Sequence, residues 1–190
     1  MHITETGLPG LRLLTPQAHR DERGFFLETY RESFFDTLTH GQRFVQDNHA
    51  RSEDAGVLRG LHFQLPPMTQ AKLVWAVQGS IYDVAVDLRE GSPTFGRWFG
   101  CTLTAASFQR IYVPRGFAHG YMTLEPGTEV MYKVDAYYAP ALEQGLPWND
   151  PDIGITWPDM TPILSAKDQR HGTFRDFRTP FSFTPDTEHA

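Results

Sequence analysis

The side chains in this sequence best suited to chemistry near neutral pH are His62, His119, Tyr132, Lys72 and Asp168, with a set of arginines. A histidine paired with a carboxylate has its tautomer fixed and its conjugate acid stabilised, which suits a general base. A tyrosine across a cavity can donate a proton from the opposite face. A lysine aimed at an oxygen between them can stabilise an enolate. Together these groups would abstract a proton next to a carbonyl and return one on the other face, which is epimerisation. Spacing alone does not bring the residues to one place. A lone His62 is more commonly a core histidine bonded to backbone, Asp168 alone reads as a loop charge, and Tyr132 alone as a packed aromatic.

Other chemistries fit less well. The sequence lacks Gly-x-Gly-x-x-Gly after a strand, a phosphate-loop signature and Gly-x-Ser-x-Gly. Metal-binding jelly rolls usually carry His-x-His with a nearby Glu. Here Gly60 and Gln64 flank His62, so His62 and His119 alone supply too few ligands and no metal is expected. The single cysteine, Cys101, excludes a disulfide framework, fits a reducing compartment and reads as a small core hydrophobe.

The elements that must position these groups begin with Val57 to Gln64, a short apolar strand carrying Arg59 and His62. Alternation places Leu58, Gly60, His62 and Gln64 on one face. Arg59 then falls on the other unless a bulge at Gly60 re-aims it. Further strands are expected over 10–14, 25–30, 44–49, 72–77, 80–88, 98–103, 109–114, 117–121 and 128–138. Phe34, Phe35 and Leu38 predict one short helix over 31–39. Strands recurring between turns predict an antiparallel sandwich or barrel over about 10–138. A loop-rich segment with a helical turn or two at 161–169 covers about 139–178, and a poorly ordered tail 179–190.

At 190 residues, 40% hydrophobic, the chain suits a single globular domain. A net charge of −6 argues against nucleic acid as a partner. No apolar run approaches the roughly 18 residues of a membrane helix, and no signal peptide is apparent at the start. A soluble, cytoplasmic protein is expected.

Four long blocks carry a family resemblance: 46–64, 83–98, 114–120 (Pro-Arg-Gly-Phe-Ala-His-Gly) and 148–158 (Trp-Asn-Asp-Pro-Asp-Ile-Gly-Ile-Thr-Trp-Pro). With Asp-Glu-Arg-Gly-Phe-Phe at 21–26 and Ser-Ala-Lys-Asp at 165–168, the chain resembles the dTDP-4-dehydrorhamnose 3,5-epimerases. The resemblance implies a mainly β fold, the cupin-type double-stranded β-helix or jelly roll, with a few short helices. It also implies a homodimer that works without cofactor or metal. The implied substrate is dTDP-4-dehydro-6-deoxy-D-glucose, a dTDP-linked 4-keto-6-deoxy sugar, inverted at C3 and C5.

By the same resemblance His62 is the base, Asp168 the carboxylate that orients it, Tyr132 the acid on the opposite face, and Lys72 the group beside the enolate oxygen. Arg59 and Arg23 contact the diphosphate, where a guanidinium fork suits phosphate oxygens. Glu28, Gln46, Asn48, His119, Tyr138, Glu143 and Lys167 line the nucleotide-sugar pocket, with Arg23 and Glu28 open to serving the neighbouring subunit. Ala50 and Tyr121 depart from the family pattern, which has Ser and Phe there. Three alternatives stay open: an epimerase acting only at C3 or only at C5, a non-catalytic sugar-binding jelly roll, and a metal-dependent oxygenase or isomerase of the same fold.

Overall fold

The computed structural model describes residues 1–39 and 41–185. Strands β1 (His2–Glu5) and β2 (Arg12–Thr15) pair antiparallel, and β3 (Ala18–Asp21) and β4 (Gly24–Leu27) form a separate hairpin. The expected helix is α1 (Glu32–Leu38), whose Phe35 and Leu38 are buried. There follow β5 (Gln46–Ser52), β6 (Val57–Gln64), β7 (Lys72–Gln78), β8 (Ser80–Asp87), β9 (Trp98–Thr104), β10 (Arg110–Val113), β11 (Phe117–Thr123) and β12 (Thr128–Val134). Two short strands, β13 (Glu143–Gly145) and β14 (Ile163–Leu164), come later. One sheet has the order β1-β2-β10-β7-β12-β5. The other runs β13-β6-β11-β8-β9, with β14 added parallel to β6.

Alternation along the strands divides the apolar residues among three layers. Leu11, Val74, Ile81, Ala85, Ile111, Phe117 and Val130 cluster between the two sheets. Leu14, Leu73, Trp75 and Tyr112 face outward from the first sheet and pack under α1. Leu61, Phe63, Val84, Val86 and Ala118 face outward from the second sheet, beneath Leu146, Ile153, Trp157 and Phe177 of the C-terminal segment. Both faces of β8 are therefore covered, and it is buried along nearly its whole length rather than at alternate residues.

The tail departs from expectation over its described part. Phe181 is only 6% exposed and belongs to the cluster beneath the C-terminal segment. Glu90 N–H donates to Phe181 O at 2.8 Å and Phe183 N–H to Glu90 O at 2.9 Å, so 179–185 is tied to the end of the second sheet. Apolar burial and backbone pairing outweigh the breaks at Pro180 and Pro185 here; 186–190 lie outside the described residues. The stretch expected to hold helical turns at 161–169 instead pairs as β14 and then turns over 166–169. The strand expected to reach residue 138 stops at Val134.

Gly60 resolves which way Arg59 faces. In the pairing of β6 with β11, His62 opposes His119 and Arg59 opposes Tyr121, so Gly60 and Leu61 together face the one residue Gly120. This bulge lets Arg59 and His62, three residues apart, reach the same cavity. Gly60 has φ +139°, and a Cβ there would lie 2.5 Å from Gly120 Cα. Only glycine fits.

If the tail is part of the core, Phe181→Ala should lower unfolding free energy by about 3–5 kcal/mol in urea titrations, the usual cost of emptying a buried aromatic site. A change below about 0.5 kcal/mol, as for an exposed residue, would show that 179–185 is dispensable.

Candidate active site

Between the sheets, at the end carrying β5 and β6, lies a cavity of about 650 Å³, within the range of small-molecule sites. The first sheet contributes Gln46, Asn48 and Ala50 from β5, Lys72 from β7 and Tyr132 from β12. The second contributes Arg59 and His62 from β6, and His119 and Tyr121 from β11. Tyr138, Glu143, Ser165 and Asp168 close it from the chain after β12. These strand residues point inward because their neighbours Leu61, Phe63, Ala118, Leu73 and Met131 are taken up by the outer layers.

His62 Nε2 lies 2.5 Å from Asp168 Oδ1. Ser165 donates its hydroxyl to Asp168 Oδ2 at 2.5 Å. Burial opposes ionisation of Asp168, but its hydrogen bonds from His62, Ser165 and the Gly60 backbone win and hold the carboxyl down at about 2. An ionised carboxylate only accepts, so Nε2 carries the proton and the lone pair of neutral His62 sits on Nδ1. The pair is an oriented base.

Facing it from the first sheet are Lys72 and Tyr132, on adjacent strands whose register sets Val134 against Lys72 and Tyr132 against Val74. Burial lowers the Lys72 ammonium to about 8, opposed by the charges of Asp83 and Glu143. It stays cationic at neutral pH yet gives up a proton more readily than an exposed lysine. Burial raises the Tyr132 hydroxyl above its ordinary value, with Arg59 opposing and Glu143 assisting. That phenol is a proton donor at neutral pH.

His119 belongs to a second pair, with its Nε2 2.9 and 3.0 Å from the two oxygens of Asp83. Asp83 opposes Tyr121 and His119 opposes Ala85, so the two are diagonal neighbours on one face. Both are buried, where a carboxylate without a partner would be very costly.

At the other end of the cavity Gln46 Nε2 donates to Asn48 Oδ1 at 2.8 Å, and the Tyr138 backbone N–H donates to Gln46 Oε1 at 3.1 Å. Among the described residues the Asn48 Nδ2 amide is buried without a partner, a donor open to a ligand oxygen. Glu143 is held by the Tyr138 hydroxyl and the Lys167 ammonium. Arg59, exposed at the rim, makes long contacts of 3.4 and 3.5 Å to Arg51 O and Ser52 Oγ. Its guanidinium is available for an anion.

The structure thus gathers His62, Asp168, Lys72, Tyr132, Arg59, Gln46, Asn48, His119, Tyr138 and Glu143 around one cavity, with Lys167 attached through Glu143. It does not bring Arg23 or Glu28 there. Both lie on or beside the β3–β4 hairpin, paired with Asp21 and Arg31 respectively. Ala50 and Tyr121, the two departures from the family pattern, line the cavity. Sequence reasoning missed Asp83, Ser165 and His171. Asp83 had a signal, an acidic residue at an inward position of an apolar strand; Ser165 had one too, its place three residues before Asp168.

The family described as dTDP-4-dehydrorhamnose 3,5-epimerase matches residues 5–176. A dTDP-4-dehydrorhamnose 3,5-epimerase of Neisseria gonorrhoeae is 53% identical over 88% of this chain, which spans about half (51%) of that longer relative. The crystal structure of a Legionella pneumophila dTDP-6-deoxy-D-glucose-3,5-epimerase with dTDP-4-keto-L-rhamnose is 38% identical at a TM-score of 0.91. That match covers 96% of this chain and 99% of the other. ChmJ, a 3'-monoepimerase of Streptomyces bikiniensis solved with dTDP-quinovose, is 37% identical at a TM-score of 0.82, covering 91% and 87%. The fold is the cupin-type jelly roll of these enzymes, and the chain belongs to the dTDP-4-dehydrorhamnose 3,5-epimerase family.

Proposed function

We propose that this protein inverts C3 and C5 of dTDP-4-dehydro-6-deoxy-D-glucose, giving dTDP-4-dehydro-L-rhamnose, as one epimerase domain spanning the chain. The observation that carries this reading is the His62–Asp168 pair set opposite Lys72 and Tyr132 across one cavity. His62 Nδ1 takes the proton from a carbon next to the C4 ketone. Negative charge moves to the C4 oxygen, where the Lys72 ammonium stabilises it. Tyr132 returns a proton to the opposite face. C3 and C5 both adjoin C4, so one enolate stabiliser serves both inversions. The reaction moves protons only and calls for no redox or metal step. Arg59 at the rim suits the diphosphate, while Asn48, Gln46 and Tyr138 suit the sugar nucleotide beyond it.

We also infer a homodimer. Arg23 and Glu28 lie away from their own cavity, on or beside a hairpin whose Phe25 and Phe26 are 58% and 72% exposed. Such an arm suits a neighbouring subunit, where the two charged residues would complete the nucleotide site. Single, unbridged Cys101 fits a cytoplasmic setting. Among the described residues no helix is long and apolar enough to cross a membrane. A second reading, inversion at one carbon only, draws support from the likeness to ChmJ.

Incubation with the substrate in deuterated water, followed by proton NMR and mass spectrometry, should show deuterium and inversion at both C3 and C5. Label at one carbon would establish the mono-epimerase, and none with folded protein would remove the epimerase reading. His62→Asn should lower exchange at both carbons by at least the roughly 10²–10⁴-fold attributed to general base catalysis. Tyr132→Phe should lower net inversion more than proton exchange, since abstraction and return to the same face need no acid opposite. Equal losses of exchange and inversion would remove Tyr132 from the acid's role.

Asp168 also predicts a pH effect on stability. Its carboxyl is more acidic folded, at about 2, than its ordinary 3.8. The stabilisation is therefore complete above 3.8 and is lost as pH falls through about 2. In denaturant titrations the stability advantage of wild type over Asp168→Asn should shrink across that interval. A constant difference would show that the carboxylate is not held by these bonds.

A further inference from the structure

His171 is a residue the proposed reaction does not use, yet it is built into the wall beside the base. Its side chain is nine-tenths buried, and its ring meets the His62 ring edge-on, with centroids 5.8 Å apart at 74°. Gly145, which opposes His62 in the β13–β6 pairing, makes the room. A Cβ at 145 would lie 2.5 Å from His171 Cε1 and 2.6 Å from Nε2. Among the described residues the buried Nε2 has no hydrogen-bond partner, and it lies 3.8 Å from Asp168 Oδ1. A polar nitrogen enclosed next to a carboxylate and a second imidazole is an unfilled ligand position.

We propose that His62, Asp168 and His171 form a site for one Zn²⁺ or a similar borderline divalent transition-metal ion, and that its occupation switches the base off. One donor atom from each residue lies within 4.8 Å of the others. Zn–N and Zn–O bonds of about 2.0–2.2 Å place neighbouring ligands of a tetrahedral ion about 3.3 Å apart. The observed separations of 2.5 Å between His62 Nε2 and Asp168 Oδ1, and 3.8 Å between His171 Nε2 and Asp168 Oδ1, bracket that value. The three donor atoms all lie within 4.8 Å of one another, so His171 must close on the other two and His62 draw back from Asp168 to admit the ion. Two imidazoles and one carboxylate favour Zn²⁺, Co²⁺ or Ni²⁺ over Mg²⁺ and Ca²⁺, which prefer oxygen ligands. The cavity side of the ion leaves a position for water or a substrate oxygen.

The inhibition follows from the tautomer. When the ion takes the Nε2 lone pair of neutral His62, the single ring proton resides on Nδ1, and no lone pair remains to abstract a proton. No bond to substrate forms or breaks. The inhibitory half rests on the reading of His62 as the base; the binding half rests on geometry alone.

The test uses the full chain freed of metal with a chelator. Zn²⁺ is titrated calorimetrically, with Mg²⁺ as the comparison, and wild-type crystals soaked in Zn²⁺ are measured at the zinc absorption edge. The expected results are one high-affinity Zn²⁺ per chain and an anomalous peak between the three side chains. Affinity should fall by about 100-fold or more in both His171→Asn and His62→Asn, because each removes a direct ligand, where even an outer-shell partner is worth about 10–100-fold. Deuterium exchange should fall in step with occupancy and return on chelation. An unchanged affinity in His171→Asn, or anomalous density only at surface histidines, would overturn the site; the crystallographic measurement needs no variant to fold. Zinc between the three residues with undiminished exchange would keep the site and overturn both the inhibition and the role of His62 as base.

Discussion

The hydrogen bond from His62 to Asp168 joins two parts of the chain 106 residues apart, and much of the architecture serves it. A buried carboxylate stays ionised only if it is compensated, and here the compensation comes from His62, the Ser165 hydroxyl and the Gly60 backbone. The bulge at Gly60 therefore has two effects. It turns Arg59 onto the cavity side with His62, and the Gly60 backbone helps keep the Asp168 carboxyl ionised. The C-terminal segment reaches His62 because its aromatic residues, from Trp157 to Phe181, cover the outer face of the second sheet. Packing on one face of that sheet fixes the chemistry on the other.

The rest of the cavity shows how a sandwich can hold charges inside. Lys72, Asp83, His119 and Glu143 all point inward, and each has a counterpart. Asp83 takes His119 directly and raises the basicity of Lys72 through space, as does Glu143. Glu143 is bound in turn by Lys167 and Tyr138. This arrangement leaves a cationic Lys72, neutral Tyr132 and an oriented imidazole around a common space. Those are the three states that proton transfer through an enolate demands.

The strand pattern was legible because runs rich in β-branched and aromatic residues are bounded by turn residues, and helix α1 because Phe35 and Leu38 follow a helical spacing. The family blocks identified the chemistry. Less legible were features set by contacts distant in sequence. The tail beyond Thr179 carries prolines and acidic residues, as a frayed terminus does, and only the apolar face awaiting Phe181 decides otherwise. Ile163–Leu164 pair with β6 at the start of that strand, a long-range contact absent from local propensity.

By itself the sequence determined the β class, the extent of the strands around His62, Lys72, Asp83 and His119, and the residue types needed for a base, an acid and an enolate stabiliser. These follow from local periodicity and side-chain chemistry. Only the tertiary structure decided how a bulge sets Arg59 beside His62, how Asp168 is buried and hydrogen-bonded, and that His171 stands beside them. It also decided that Arg23 and Glu28 stay outside their own pocket. The reason is physical: a bulge, a diagonal pair and a long-range hydrogen bond depend on register and packing between segments, which local sequence does not encode.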